Sequence, residues 1–499
     1  MTVPTYTPRL QVLLTKIVAR KSGVAARYAG MPRQIDITPY LGDAGVVRTV
    51  KSLASPAGVF SLTVADQPDH SFGDSLYGMI EPMDMIEIRA ARQAENYTGK
   101  PAPLIMRGYV SSVRRTESVD LGGRPQRTVT VEGQDSGKLW LINRIYFSAA
   151  LVIDAPYLSQ FKLQVALGIT PSVMSVSDFV TTITEKVMNV KAAALAAASD
   201  QIIKPFVVDS TVTLGKMIPE MVENIDAVPV WSLIDQFADR PWNELFIQDQ
   251  EDGPHVVFRP VPYKDISGNL IDPLASDPGA VLVDISDVVA LDVMRSDARI
   301  ANFFWVPPGA SIIDTNGGLA VASLRLGEPL DFNYANNSPA LYGVRQMIAR
   351  SNLIPNNLGA AVNMLPPSQR QAGIDGTVLW FEARARLLKL MNRDNGVFEE
   401  GSATIKGSEL LVPGKYLRVL RGSLVADYYM EQVAHTFTPL QTWTTGVTLA
   451  RGTGFLARAQ QSSPPYLAEG RGGPYSPSPA VGTILDAMRL PGNVTGAVP

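Results

Sequence analysis

Cysteine is absent from this chain, and histidine nearly so, with His70, His255 and His435 the only three. The first absence excludes disulfides, thiolate metal sites and cysteine nucleophiles. The second means that any imidazole-based metal centre or proton relay would have to be gathered from distant segments, and no HExxH pair occurs. There is no run of 18 or more apolar residues, so the sequence predicts no membrane-spanning helix. The first residues lack the basic-then-apolar pattern of a secretory signal. Nor is either sign of charge in excess: 44 Lys and Arg stand against 47 Asp and Glu, a net charge of −3. A dedicated nucleic-acid binder usually carries a basic domain, and this balance argues against one.

Apolar material, by contrast, is ample. It makes up 46% of 499 residues, with 18% charged, enough for about three domains or for two barrels with insertions. Residues 1–35 hold six basic side chains (Arg9, Lys16, Arg20, Lys21, Arg27, Arg33) and no acidic one. The preferred reading is a basic arm lying on an acidic neighbour; a first strand in that place and a transit peptide are the alternatives.

Residues 36–148 read as a first β-barrel. Phe60, Leu62 and Val64, then Ile86 and Ile88, then Val129 and Val131 alternate with polar residues, the period-two signature of a sheet with one buried face. Residues 149–243 change period and read as a helical insertion. Phe179, Val180, Ile183 and Val187 follow a cap at Ser177 or Asp178, and Val230, Leu233, Ile234 and Phe237 form an amphipathic stripe. Residues 244–306 and 398–455 read as a second β-barrel, interrupted by a mixed, partly helical insertion over 307–397. In that insertion Trp380, Ala383, Leu387, Leu390 and Met391 share one predicted helix face.

Residues 456–499 contain seven Pro and six Gly, about twice the whole-chain share, and read as an extended tail. Within it Val481, Ile484, Leu485 and Met488 form a short apolar stripe. It is the candidate partner-docking helix, since so short a helix is marginal until it lays that face on something. The overall class is α+β, mainly β.

No residue earns a catalytic, cofactor-binding or metal-binding assignment. Gly452-Thr453-Gly454 with Ala457 satisfies GxGxxA, but no parallel strand follows and the βαβ context is missing. Glu399-Glu400 and Glu251-Asp252 are expected to be solvated turn charges, since neighbours in a turn rarely converge on one substrate atom. No GxSxG elbow is present. His435 sits on a strand face with Tyr429, Val433 and Phe437 and is expected to be a hydrogen-bonded core residue; His255, at a turn exit, is expected to be exposed. Arg144, Tyr146 and Phe147 are too few to make a nucleic-acid groove.

The order of motifs resembles one family, the baseplate hub proteins of contractile-tailed bacteriophages. Met83–Ala90, Arg107–Val113 and Thr128–Asp135 resemble strands of that family's first barrel. Pro241–Phe246 with Val256–Pro260 is similar to an internal strand pair. Gly414–Val419, Tyr428–Phe437 and Thr444–Gly452 resemble the closing strands. The resemblance implies two tail-tube-like β-barrels per chain and a homotrimer whose six barrels match a hexameric tail tube. It also implies a central spike, peripheral baseplate proteins and the tape measure protein as partners, with DNA passing only in transit. The implied location is the virion baseplate, assembled in the host bacterial cytoplasm. The type VI secretion spike hub is similar. The helical insertion and the Pro-rich tail depart from the pattern. A tail-associated cell-wall hydrolase, the hub of a non-contractile tail and a phage-derived injection particle are the alternatives. The expectation is a structural, non-enzymatic virion protein.

Overall fold

The computed structural model describes residues 8–30, 34–42, 45–66, 68–69, 74–119, 123, 125–145, 174–196, 202–217, 228–307, 335–355, 367–438 and 442–459. It is mainly β. Seven strands build the first unit: β1 (Arg9–Thr15), β2 (Gln34–Asp36), β3 (Val46–Ser52), β4 (Val59–Ala65), β5 (Met85–Ala91), β6 (Leu104–Val119) and β7 (Pro125–Asp135). They pair antiparallel in the order β3-β4-β7-β6-β5-β1-β2. The alternation read in the sequence holds. Phe60, Leu62, Val64, Ile86, Ile88, Val129 and Val131 turn to one core, joined by Val12 and Leu14. The arm expected over residues 1–35 is therefore corrected from Arg9 onward. Leu10, Val12 and Leu14 alternate, and burying that face makes β1 a strand of the unit, with a Val18–Lys21/Val24–Arg27 hairpin beyond it.

A middle layer has its own core. It holds helices α1 (Val176–Ile183), α2 (Val230–Asp235) and α3 (Pro367–Asn392), and a three-stranded sheet of β8 (Val207–Ser210), β9 (Asn243–Asp249) and β10 (Pro254–Pro260). Trp140, Phe179, Phe237, Trp242, Phe258 and Phe381 meet in that core. The predicted apolar stripes of α1 and α2 are buried as expected. The cap differs, because Ser175 rather than Ser177 or Asp178 accepts the Asp178 amide at 3.0 Å. Residues 244–260, expected in the second barrel, lie here instead: β10 pairs parallel with β8 and antiparallel with β9. The α3 face is also rotated from the expected one. Trp380, Phe381, Arg384, Leu388 and Met391 are buried while Ala383 is exposed. A buried arginine, paired with the Asp239 carboxylate at 3.0 Å, hid the true stripe.

The second unit comprises β11 (Ala280–Asp284), β12 (Val288–Met294), β13 (Glu399–Lys406), β14 (Tyr416–Arg421), β15 (Leu424–Thr438) and β16 (Thr442–Gly452), in the order β12-β13-β16-β15-β14-β11. Val283, Ile405, Leu417, Val419, Met430, Val433 and Leu449 form its core. Phe303–Trp305, also expected there, pairs instead with Gln346–Ile348.

The two units follow one plan. Setting β3, β4, β5, β6 and β7 against β12, β13, β14, β15 and β16 reproduces both the chain order and the antiparallel neighbour order. The longest pairs, β6–β7 and β15–β16, each carry one irregularity, between Val110 and Ser112 and between Met430 and Gln432. At the matching turns Met83 N donates to Val110 O at 2.9 Å and Val110 N to Asp84 O at 2.9 Å. Gly414 N donates to Met430 O at 2.8 Å and Met430 N to Lys415 O at 3.0 Å. Met83 and Gly414 share the left-handed backbone, with φ of 75° and 81°. The first strands differ: β1 runs antiparallel to β5, whereas β11 runs parallel to β14.

Candidate functional site: the seam between the two β-units

Chain continuity does not oblige two β-units to share hydrogen bonds, yet here one strand serves both. The first half of β15, Leu424–Tyr429, pairs with β14. After the bulge at Glu431 the same edge, Gln432–Phe437, pairs antiparallel with Val47–Ser52 of β3. Leu53 N donates to Glu431 O at 3.0 Å across the bend. A bulge adds one unpaired residue and bends the strand, which lets β15 leave one unit and enter the other. The result is one 13-stranded sheet that runs through both units.

The bulge also decides which side chains meet. It reverses the alternation, so Val433 faces the second unit's core while Tyr429 points to the middle layer, not to the same face as the sequence suggested. Phe437 and Trp443 lie in the first unit's core, stacked with centroids 4.7 Å apart. His435 is buried beside them, its Nδ1 2.9 Å from Thr445 Oγ1. Burial pushes its pKa down to about 4, so it is neutral at pH 7, a hydrogen-bonded core residue as expected.

The middle sheet braces the seam with charge. Outward-facing Glu87 and Arg89 of β5 are buried; Glu87 accepts from Arg107 at 2.7 Å, and Arg89 clasps both oxygens of Glu251 at 2.8 and 2.9 Å. Glu251 stays largely exposed, as expected of a turn charge, yet Arg89 holds it in place, and those hydrogen bonds lower its pKa. Toward the second unit, Glu244 accepts from Tyr429 Oη at 2.7 Å and from Arg259 Nε at 2.5 Å, while Arg259 reaches Gly414 O at 2.6 Å. Burial raises the Glu244 pKa, the cost of placing a carboxylate away from water. Lys51 pairs with Asp135, and Ser136 Oγ donates to Asp249 at 2.6 Å in the same joint.

Other expectations need correction here. His255 is buried, not exposed, with its ring nitrogens 2.7 Å from Asp209 and 3.1 Å from Asp252. Glu399 is buried as well, accepting from Tyr428 Oη at 2.8 Å and paired with Arg458. After Gly452 comes a short helix, Gly454–Ala459, beside strands that are all antiparallel, so no dinucleotide turn forms. Val481, Ile484, Leu485 and Met488 lie outside the described residues. The bracing residues Lys51, Asp135, Glu244 and Asp249 escaped the sequence reading; its one trace was charge placed inside apolar strands, as in Ile86-Glu87-Ile88-Arg89 and Glu244-Leu245-Phe246-Ile247.

Among the described residues no group of three or more His, Asp and Glu is arranged to hold a metal. No helix among them is long and apolar enough to cross a membrane. The seam joins the two β-units in one sheet.

No family model matches the chain, and no curated protein matches it. Solved structures do. A tail protein from Neisseria meningitidis is similar at 13% identity and TM-score 0.44, over 89% of this chain and 97% of its own. A 43 kDa prophage tail protein from Shewanella oneidensis is similar at 11% identity and TM-score 0.41, over 89% and 97%. A prophage tail protein from Listeria monocytogenes is similar at 10% identity and TM-score 0.43, over 88% and 94%.

Proposed function

We propose that this chain is a structural component of a phage tail: the baseplate hub, three copies of which close into a ring of six β-units. One observation carries this reading. A chain with two β-units of one plan, fused edge to edge by β15 and β3, supplies a third of a six-unit ring, and three chains then match a sixfold partner. The motif order supports it, since Met83–Ala90 and Gly414–Val419, which resemble the hub family, occupy matching places in the two units. In this reading the ring continues the tail tube on one side and meets the central spike on the other, with peripheral baseplate proteins and the tape measure protein as further partners. It lines a channel through which the genome passes, and its place is the virion.

The test is mass in solution. Light scattering of the isolated chain, or of its spike complex, is expected to give three copies of the 53.9 kDa chain. A single-copy mass under both conditions overturns the hub. The reading is also non-enzymatic: the purified chain is expected to leave no cleared zone in a peptidoglycan zymogram, and a cleared zone would favour a tail-associated hydrolase.

A further inference from the structure

Inside the chain, the junction of β15 with β3 joins the second unit to the first. We propose that the same junction is repeated between chains: the outer part of β6 pairs antiparallel with β12 of the next copy. This rests on the ring reading above and specifies its contact.

The matched plan fixes the register. Aligning the two irregularities sets Ser112 of β6 against Gln432 of β15, so Arg114, Arg115, Thr116 and Glu117 take the places of Ala434, His435, Thr436 and Phe437. Crossing β7 to β4 and β16 to β13 sets Leu62 against Ala403. Val47 faces Leu62 and Leu291 faces Ala403, so Leu291, Asp292, Val293 and Met294 of β12 take the places of Val47, Arg48, Thr49 and Val50. Within the chain Ala434 pairs with Val50 and Thr436 with Arg48. Between chains, Arg114 then faces Met294 and Thr116 faces Asp292.

Both edges are open. Among the described residues, β6 beyond Val110 pairs with β7 alone, and β12 pairs with β13 alone. An unpaired edge is a template for another strand, and proteins usually blunt it. This β12 edge instead exposes Val289 at 64% and Met294 at 60%. The inward faces continue the two cores: Val113 packs against the first unit's core, and Leu291 and Val293 against the second's, as Val47 and Val433 do at the seam. Charge agrees too. Arg114 and Asp292 have no ion-pair partner among the described residues, and in this register they fall diagonally across the junction, within reach of a long side chain.

The absence of cysteine supplies the test. Arg114→Cys/Met294→Cys introduces the only two thiols, placed directly opposite at a spacing a disulfide can bridge. On mild oxidation, a non-reducing gel is expected to show the monomer band depleted into covalent two-chain and three-chain species. Neither single variant should give the three-chain species. Thr116→Cys/Asp292→Cys is expected to do the same, should the first variant fold poorly. If light scattering shows three copies but neither pair cross-links between chains, the edge pairing is wrong and the ring stands. A single-copy mass without cross-links overturns both. A disulfide closed within one chain also overturns the pairing, since it would place the two edges in the same copy.

Discussion

Replacing Asp84 with alanine is expected to cost about 3–5 kcal/mol, the penalty for stranding one half of a buried ion pair. Asp84 has no exposed side-chain surface, and every nearby donor converges on it. Its Oδ2 accepts from Lys16 Nζ at 2.5 Å and from Glu81 N at 2.8 Å, while Oδ1 accepts from the Ile17 and Val18 amides at 2.8 and 2.9 Å. Alanine would leave three amides unsatisfied and a buried ammonium with only the Met79 carbonyl, at 2.5 Å. The carboxylate ties the end of β1 to the turn that opens β5, where the first unit repeats the hydrogen-bond pattern of Gly414 and Lys415. Urea unfolding checks this: the Asp84→Ala midpoint should fall sharply, and Lys16→Met, which spares the three amides, should fall less. A loss below about 1 kcal/mol for Asp84→Ala would mean that water reaches the site, contrary to its burial.

Which parts of this architecture the sequence disclosed follows from what each part rests on. Strands with one buried face announce themselves, and Leu62, Val64, Ile86, Ile88, Val129 and Val131 all lie in the core their alternation predicts. The stripes of α1 and α2 were legible for the same reason. Three kinds of feature were not. A bulge costs one residue and leaves no composition, so the reversal at Glu431 that separates Tyr429 from Val433 could not be read. Burying a charge depends on a partner far along the chain: Arg384 with Asp239, Glu244 with Arg259 and Tyr429, Arg89 with Glu251. Each of these reads locally as solvent-facing, and Arg384 misplaced a whole helix face. Pairing across long separations is the third. Nothing in Asn243–Pro260 reveals that it pairs with Val207–Ser210 rather than with the second unit, and nothing in β3 names β15 as its neighbour. The duplication emerges from hydrogen bonds rather than from matched residues, since Met83 and Gly414 hold one backbone conformation with different side chains.

Stability at the brace between β9 and the first unit is expected to fall as pH rises through about 6, and Asp249→Asn is expected to remove that dependence. Asp249 accepts from Ser136 Oγ at 2.6 Å and faces Asp135 from β7, Lys51 from β3 and Arg107 from β6. Burial and the neighbouring Asp135 carboxylate raise its pKa to about 6, against the pull of Lys51, Ser136 and Arg107. The sign follows from linkage. A carboxyl with a higher pKa folded than unfolded binds its proton more tightly in the folded state. Its contribution is complete below the unfolded value near 4 and is lost as pH climbs through the folded value, with no further change above it. At about 1.4 kcal/mol per pKa unit, the span corresponds to as much as about 3 kcal/mol. Glu251, whose pKa the Arg89 hydrogen bonds lower, acts in the opposite direction and at lower pH. The comparison therefore has to be between wild type and variant rather than along one curve. Urea midpoints at pH 4.5 and 7.5 provide it. Wild type should lose more stability than Asp249→Asn over that interval, because the amide carries no proton to release. Parallel curves would show that Asp249 ionises normally, with water or Lys51 compensating for its burial.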